Sequence, residues 1–180
     1  MPPALHTDRL LLRKPVIEDL TPFTAMFSDP EVSRYIGDGT PRPPERVERG
    51  FRNGLLCWDR LGFGPFTVLH NDLVIGDCLL YPIACSGTDP TDFAARGPEI
   101  ELAYRLAREA WGQGFATEAA RAALHWAMSD TGPALSRLIA VTHPDNAASQ
   151  RVLVKLGMRS LGETNAYYDT PTTLFETTRD

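Results

Sequence analysis

Apolar and polar positions change period repeatedly along the chain, and each change marks an element. Residues 9–13 read R-L-L-L-R, an apolar run bounded by charges and followed by Pro15, which predicts a strand. Glu18 and Asp19 open a helix, where carboxylates favour the positive end of the dipole. Pro22 falls near the first turn, where a helix tolerates proline. Ile17, Leu20, Phe23 and Phe27 follow at helical spacing. Asp29-Pro30 stops this helix and starts a short second one through Tyr35. Residues 37–44, G-D-G-T-P-R-P-P, read as a loop, and 45–60 as a polar helix with Val47, Phe51, Leu55 and Trp58 on one side.

Strands are predicted over 64–69 and 74–81, joined by His70-Asn71-Asp72, a hairpin-turn composition. Residues 83–98 are too rich in polar residues, Gly and Pro for regular structure. Long loops of this kind often wall or cover a site, and simple insertion is the competing reading. A strand over 99–106 follows, then a helix over 114–128 with Phe115, Ala119, Ala123 and Trp126 or Ala127 on one face. A strand over 135–142 precedes a helix over 146–156, which Gly157 ends at the position favouring a left-handed cap. Residues 158–161 and 172–177 read as final strands. This order implies an α/β fold, a mixed sheet of six to seven strands with helices on both faces. No repeat or linker interrupts residues 1–180, so the chain reads as a single domain.

Composition narrows the class. The chain has 180 residues, 43% hydrophobic and 23% charged, a size that buries enough surface to fold without disulfides or metal. Its net charge of −5 argues against nucleic acid as a partner. Cys57, Cys78 and Cys85 form no C-x-x-C pair and read as reduced thiols of a cytoplasmic protein. The N-terminal residues lack a basic stretch followed by an apolar one, so no signal peptide is expected. No apolar run approaches the ~20 residues of a membrane span. No metal site is expected.

The most informative segment is 111–118, W-G-Q-G-F-A-T-E, which leaves a strand and enters a helix. Its two glycines permit a sharp turn and close approach of a ligand to the main chain. The free N–H groups of a helix start, with its dipole, suit an anion such as a pyrophosphate. Alternatively, the glycines serve turn geometry alone. The dinucleotide fingerprint fails because Thr117 holds its third glycine position, and no Gly-Lys-Ser/Thr follows to make a phosphate-binding P-loop.

Residues 111–120, W-G-Q-G-F-A-T-E-A-A, resemble the central motif of the GNAT family of N-acetyltransferases. Gly114 and Ala116 match that motif's Gly-x-Gly/Ala, and Trp111 replaces its usual Arg or Gln. The variant is similar to the branch of ribosomal-protein N-terminal acetyltransferases. Residues 7–13, 28–32 and 144–158 resemble other segments of that branch, in the expected order.

The resemblance implies a GNAT fold with two parallel strands splayed apart at the cofactor, and acetyl-CoA as cosubstrate. It implies that Tyr104, Arg105 and Leu106 meet the pantetheine arm through their backbone. The pyrophosphate would sit on N–H groups of Gly112, Gln113, Gly114, Phe115, Ala116 and Thr117. Asn146 and Ser149 would meet the cofactor from the other side, although Asn146 also suits a plain helix N-cap.

The implied chemistry is attack of an amine on a thioester. It requires a neutral amine, a stabilised oxyanion and a thiolate able to leave. A backbone N–H at Tyr104 is the candidate oxyanion donor, and Glu101 the candidate base, with Glu99 as its competitor on the same face of a regular strand. A bulge common in the family at this point would exchange the two. Many relatives carry an acidic Tyr where this chain has Leu153. Tyr167 and Tyr168 are alternatives, or simply packing aromatics. His143, just past a strand end, reads as a surface residue or a neighbour of substrate. The expected acceptor is a protein N-terminal amine. A small-molecule amine (an antibiotic or polyamine), a succinyl donor, and a non-catalytic acyl-CoA sensor are the alternatives. A homodimer is compatible with each.

Overall fold

A turn at Thr7, whose N–H donates to Leu10 O at 3.0 Å, opens the fold by joining β1 (Leu5–His6) to β2 (Leu11–Arg13). The computed structural model describes residues 3–179; Met1, Pro2 and Asp180, which the single-domain reading included, lie outside them. The strand expected over 9–13 is therefore shorter. Arg9 and Leu10 belong to the turn, because Thr7 Oγ1 accepts from Leu10 N and donates to Leu10 O.

Asp19 decides how β2 leads into the first helices. It is 2% exposed, accepts two 2.7 Å bonds from Arg13 and one from Thr67 Oγ1, and takes the Val16 N–H at 3.0 Å. Burial alone would raise its pKa, but these partners hold it below the usual carboxylate value. Removing either partner of such a buried pair costs about 3–5 kcal/mol. A short 3₁₀ turn then feeds α1 (Leu20–Phe27) and α2 (Pro30–Ser33), the latter capped by Asp29. The amphipathic α3 (Pro44–Leu61) packs Val47 and Phe51 against Phe23, Met26 and Phe27, forming a small core of their own.

Next come β3 (Phe66–His70), β4 (Leu73–Pro82), β5 (Ile100–Leu106), α4 (Phe115–Met128), β6 (Arg137–Thr142), α5 (Ala147–Lys155), β7 (Arg159–Thr164) and β8 (Thr172–Thr178). The hairpin turn forms as its composition requires, with Asn71 and Asp72 both at positive φ. Among the described residues, eight strands join one sheet in the order β1-β2-β3-β4-β5-β6-β8-β7. The eighth, beyond the six to seven expected, is the two-residue β1, too short to show a period.

The main core lies between the sheet and α4. Cys78, Leu80, Leu102, Leu138 and Ala140 face Ala119, Ala120, Ala123 and Ala127, all at most 1% exposed. Small side chains on α4 let the helix lie close to the strands. The α1–α3 cluster packs Val74 of β4 and Ala107, just past β5. Gly76 is obligatory where β4 and β5 meet, because a Cβ there would lie 2.1 Å from Arg105 O.

Every strand pair is antiparallel except β5 and β6, which are parallel and register at one pair only, Glu101 with Ile139. Beyond it the two strands separate. That gap, in the middle of the sheet, is the feature the fold offers for function.

Candidate active site

The turn before α4 leaves its main-chain donors free. Gly112 and Gly114 have φ of 74° and 83°, a left-handed conformation that costs other residues about 1 kcal/mol or more. The first helical bond runs from Glu118 N to Gly114 O at 3.1 Å. Among the described residues, no turn, loop or cap hydrogen bond is donated by the N–H groups from 112 to 117. Trp111, where the motif has Arg or Gln, donates its indole N–H to Leu106 O at 2.8 Å and so closes the turn onto β5. Gln113 is held by its amide on Glu109 O.

Sequence reasoning missed Arg9 here. Its guanidinium bonds Gln113 O at 2.9 Å, pairs with Glu118 at 2.6 Å, and lies over the Phe115 ring. This places an Arg9–Glu118 ion pair beside the helix N-terminus. The signal was the first element's own charge, which the strand reading treated only as a boundary.

The gap between β5 and β6 supplies the second part. At the two ends of β5, Glu99 O accepts from Ile83 N and Ala107 N donates to Ile75 O, both toward β4. The β4–β5 register runs without a bulge between them. Alternation then turns the N–H and C=O of Leu102, Tyr104 and Leu106 toward the gap. Arg105 is a correction: its main chain faces β4 and its guanidinium is ion-paired with Asp77, so it offers the gap nothing. Tyr104 uses its hydroxyl on Ser149, donating to Ser149 O at 2.9 Å and lying 3.0 Å from its Oγ. Asn146 caps α5, accepting from Ser149 N at 3.1 Å. The N-cap reading of Asn146 holds, and the residue also lines the cavity at the gap. Across from β5, Thr142 Oγ1 is buried without a hydrogen-bond partner.

The cavity holds about 500 Å³ and reaches from the β5 edge to Glu101. Glu101 is 6% exposed, and burial pushes its pKa up to about 6, against the opposing effects of a hydrogen bond from Tyr168 and the charges of Arg96 and Arg105. Glu99 is different. It is ion-paired with Arg137 and accepts from the Tyr167 hydroxyl, which together hold its pKa below the usual range. With no bulge to exchange them, Glu101 alone of the two lines the cavity.

Tyr168 donates its hydroxyl to Glu101. It reaches it from an unusual backbone, since Tyr168 and Asp169 both have positive φ, 56° and 54°. The Thr170 N–H returns to Tyr167 O, making a type I′ turn without glycine, a strain of about 1–3 kcal/mol per residue. The long loop holds it there. Gly87 N donates to Asp169 Oδ1 at 2.7 Å, Asp169 N to Ser86 Oγ at 3.1 Å, and Tyr168 N to Ala84 O at 3.2 Å. The two irregular stretches also converge, since residues 37–42 and 90–96 both contribute to the cavity wall. His143 lines it too, with its ring 5.2 Å from Tyr35. Leu153 is buried in the core at 1% exposure, leaving no acid at that position.

The fold is shared with known acetyltransferase structures. The family model described as Acetyltransferase (GNAT) domain matches residues 9–159. The chain belongs to the GNAT family. The protein named Uncharacterized N-acetyltransferase YoaA, of Bacillus subtilis (strain 168), is 28% identical over 167 residues, covering 92% of this chain and 88% of the relative. An acetyltransferase structure from Agrobacterium tumefaciens str. C58 superposes with a TM-score of 0.80 at 23% identity, covering 98% and 95% of the two chains. The ribosomal L7/L12 alpha-N-protein acetyltransferase RimL, in complex with coenzyme A, gives 0.77 at 15% identity over 99% of each. The GNAT assignment makes the chain an acyl-CoA-dependent acetyltransferase. Among the described residues, no helix is long and apolar enough to cross a membrane.

Proposed function

We propose that this GNAT protein transfers the acetyl group of acetyl-CoA directly to a primary amine in a ternary complex. One observation carries the reading: a single cavity joins the unpaired β5 edge to a buried carboxylate of raised pKa. Acetyl-CoA fits the residues present. The N–H groups from Gly112 to Thr117 would hold the pyrophosphate, and the Tyr104 C=O, the Leu106 N–H and the unpartnered Thr142 hydroxyl would meet the pantetheine amides.

Glu101 would hold the incoming ammonium ion and then take its proton, directly or through one water. The nitrogen then forms its bond to the acetyl carbon as the carbon–sulfur bond breaks. The Tyr104 N–H would donate to the carbonyl oxygen as that oxygen gains charge. The thiolate leaves without a protein acid, since Leu153 offers none and a thiol of pKa ≈ 8.5 is a tolerable leaving group near neutral pH.

A protein N-terminal amine is one acceptor reading, and RimL's name describes that activity. A small-molecule amine is the second, favoured by the walls that residues 37–42 and 90–96 add to the cavity. The three free thiols fit the cytoplasm. Thiol release from acetyl-CoA, assayed with and without a mixed panel of small amines and peptides, tests the proposal. Release only with amine is expected. Tight acetyl-CoA binding with no release for any amine would make the protein an acyl-CoA sensor instead.

A further inference from the structure

Four arginines line the cavity, and three of them differ from the fourth in what they touch. Arg105 is ion-paired with Asp77. Arg96 donates to Pro82 O at 2.7 Å and to Pro90 O. Arg46 makes no side-chain hydrogen bond or ion pair among the described residues, but it sits beside the Gly37 turn near the opposite charge of Asp38. Arg42 has none of this. Its backbone is fixed, with Arg42 N donating to Phe27 O at 3.0 Å. Its guanidinium lies over the Phe27 ring, 4.7 Å from the centroid, and Arg105 lies at 4.7 Å from the same ring. Among the described residues, the Arg42 guanidinium makes no hydrogen bond and no ion pair. Burial first, then the charges of Arg105 and Arg46, work against its own charge and lower its pKa to about 9, although the Asp77 carboxylate, itself ion-paired with Arg105, opposes them. A cation held partly out of water, beside like charges and without a partner, is unfavourable in itself. An anion bound there removes the penalty.

We infer that Arg42, supported by Arg46, is an anion site of the acceptor pocket, and that the acceptor is a small amine carrying a carboxylate or phosphate group. The inference rests on the acetyl-transfer reading for the amine end, where Glu101 would hold the ammonium. Tyr168 lies between the roles, since it donates to Glu101 and lines the same cavity as Arg42. Glu101 and Arg42 line the same cavity, and a series of amines of increasing length reads the separation that an acceptor must span. The phosphates of CoA have their own cradle at the α4 turn, with Arg9 rather than Arg42 beside it.

The test is calorimetric binding in the presence of CoA, where no turnover occurs. The probes are a series of unbranched ω-amino acids of increasing length, each against its own amide, phosphoethanolamine against ethanolamine, and a short acidic peptide. They are titrated into wild type, Arg42→Gln and Arg42→Lys. At least one anionic amine should bind about tenfold or more tightly than its neutral counterpart, as expected for a charge-assisted contact. The ω-amino acids and phosphoethanolamine separate carboxylate from phosphate. The preference should fall to about twofold or less in Arg42→Gln and survive in part in Arg42→Lys. Affinity for CoA should be unchanged, and Tm should change little in Arg42→Gln, because relief of the unpaired charge offsets the lost contact with the Phe27 ring. The inference is overturned if no anionic amine is preferred, if the preference persists in Arg42→Gln, or if that variant instead loses CoA affinity. Preference for the peptide alone would overturn the small-molecule assignment. A small anionic amine that binds through Arg42 but is never acetylated would retain the anion site and defeat the transfer reading.

Discussion

Replacing Glu101 with glutamine separates chemistry from stability in one experiment. Glutamine keeps the shape and still accepts the Tyr168 hydroxyl, but it cannot take a proton. General-base assistance is typically worth ~10²–10⁴-fold, so kcat should fall by at least ~10²-fold, with acetyl-CoA affinity nearly unchanged. Wild-type kcat/KM should rise with pH through a limb near 6, where Glu101 ionises. That limb should vanish in the variant. Part of the lost rate should return at high pH, as an acceptor amine of pKa near 8 deprotonates itself.

Stability should move the other way. The buried carboxyl is raised from the usual 4.5 to about 6, which corresponds to about 2 kcal/mol between its two forms. Because the folded pKa lies above the unfolded one, this contribution is fully present below about pH 4.5 and is lost as pH rises through about 6. Wild type therefore carries the penalty of a buried charge at pH 7–8, and the uncharged variant does not. Glu101→Gln should be more stable by up to about 2 kcal/mol there, or about 4–8 °C in Tm for a chain of this size, and by little at pH 4.5. Scanning calorimetry across that range, run beside steady-state kinetics, reads both effects. Near-normal kcat with unaltered pH dependence would remove Glu101 from the mechanism. A loss confined to acceptor KM would reduce it to a positioning residue. A variant no more stable than wild type at pH 8 would refute the burial argument.

Tyr168→Phe should raise the pH of the kcat/KM limb above about 6, because the hydroxyl lowers the Glu101 pKa, while kcat well above that limb changes little; an unmoved limb would mean the contact has no bearing on the carboxylate. Gly114→Val should abolish the thermal stabilisation given by CoA and lose some intrinsic stability, since φ is +83° and a Cβ would come within 3.4 Å of Arg9 Nη2; a folded variant with unchanged CoA affinity would show that the pyrophosphate lies elsewhere. Replacing residues 88–94 with two glycines should shift acceptor preference, measured as relative kcat/KM across the amine panel, while acetyl-CoA KM stays within a few-fold; equal loss for every acceptor together with lost CoA binding would make the loop purely structural.

Which parts of this site could be read from the chain follows from how local each interaction is. The α4 turn is legible because its glycines, its helix and its free N–H groups all lie within residues 111–118, and the resemblance to the GNAT motif falls on the same residues. Asn146 and Gly157 mark the ends of α5 for the same reason. Glu101 was legible as a candidate, but its rivalry with Glu99 was not resolvable. The choice depends on Arg137 and Tyr167, both distant in sequence, and on the absence of a bulge between β4 and β5. Tyr168 was harder still. No local signal marks a type I′ turn made of Tyr and Asp, where glycine or asparagine is the norm. The turn exists because Ser86 and Gly87, from a loop with no period of its own, bond to Asp169 across the fold. That loop reads as an insertion in sequence, yet it holds the strained turn that brings a hydroxyl to the carboxylate. Arg42 was invisible for a related reason. It looks like one charge in a proline-rich loop, and its distinguishing property is that the folded chain gives it nothing to pair with. A missing partner is a property of the whole structure, and it points outward, to a group that the acceptor must bring.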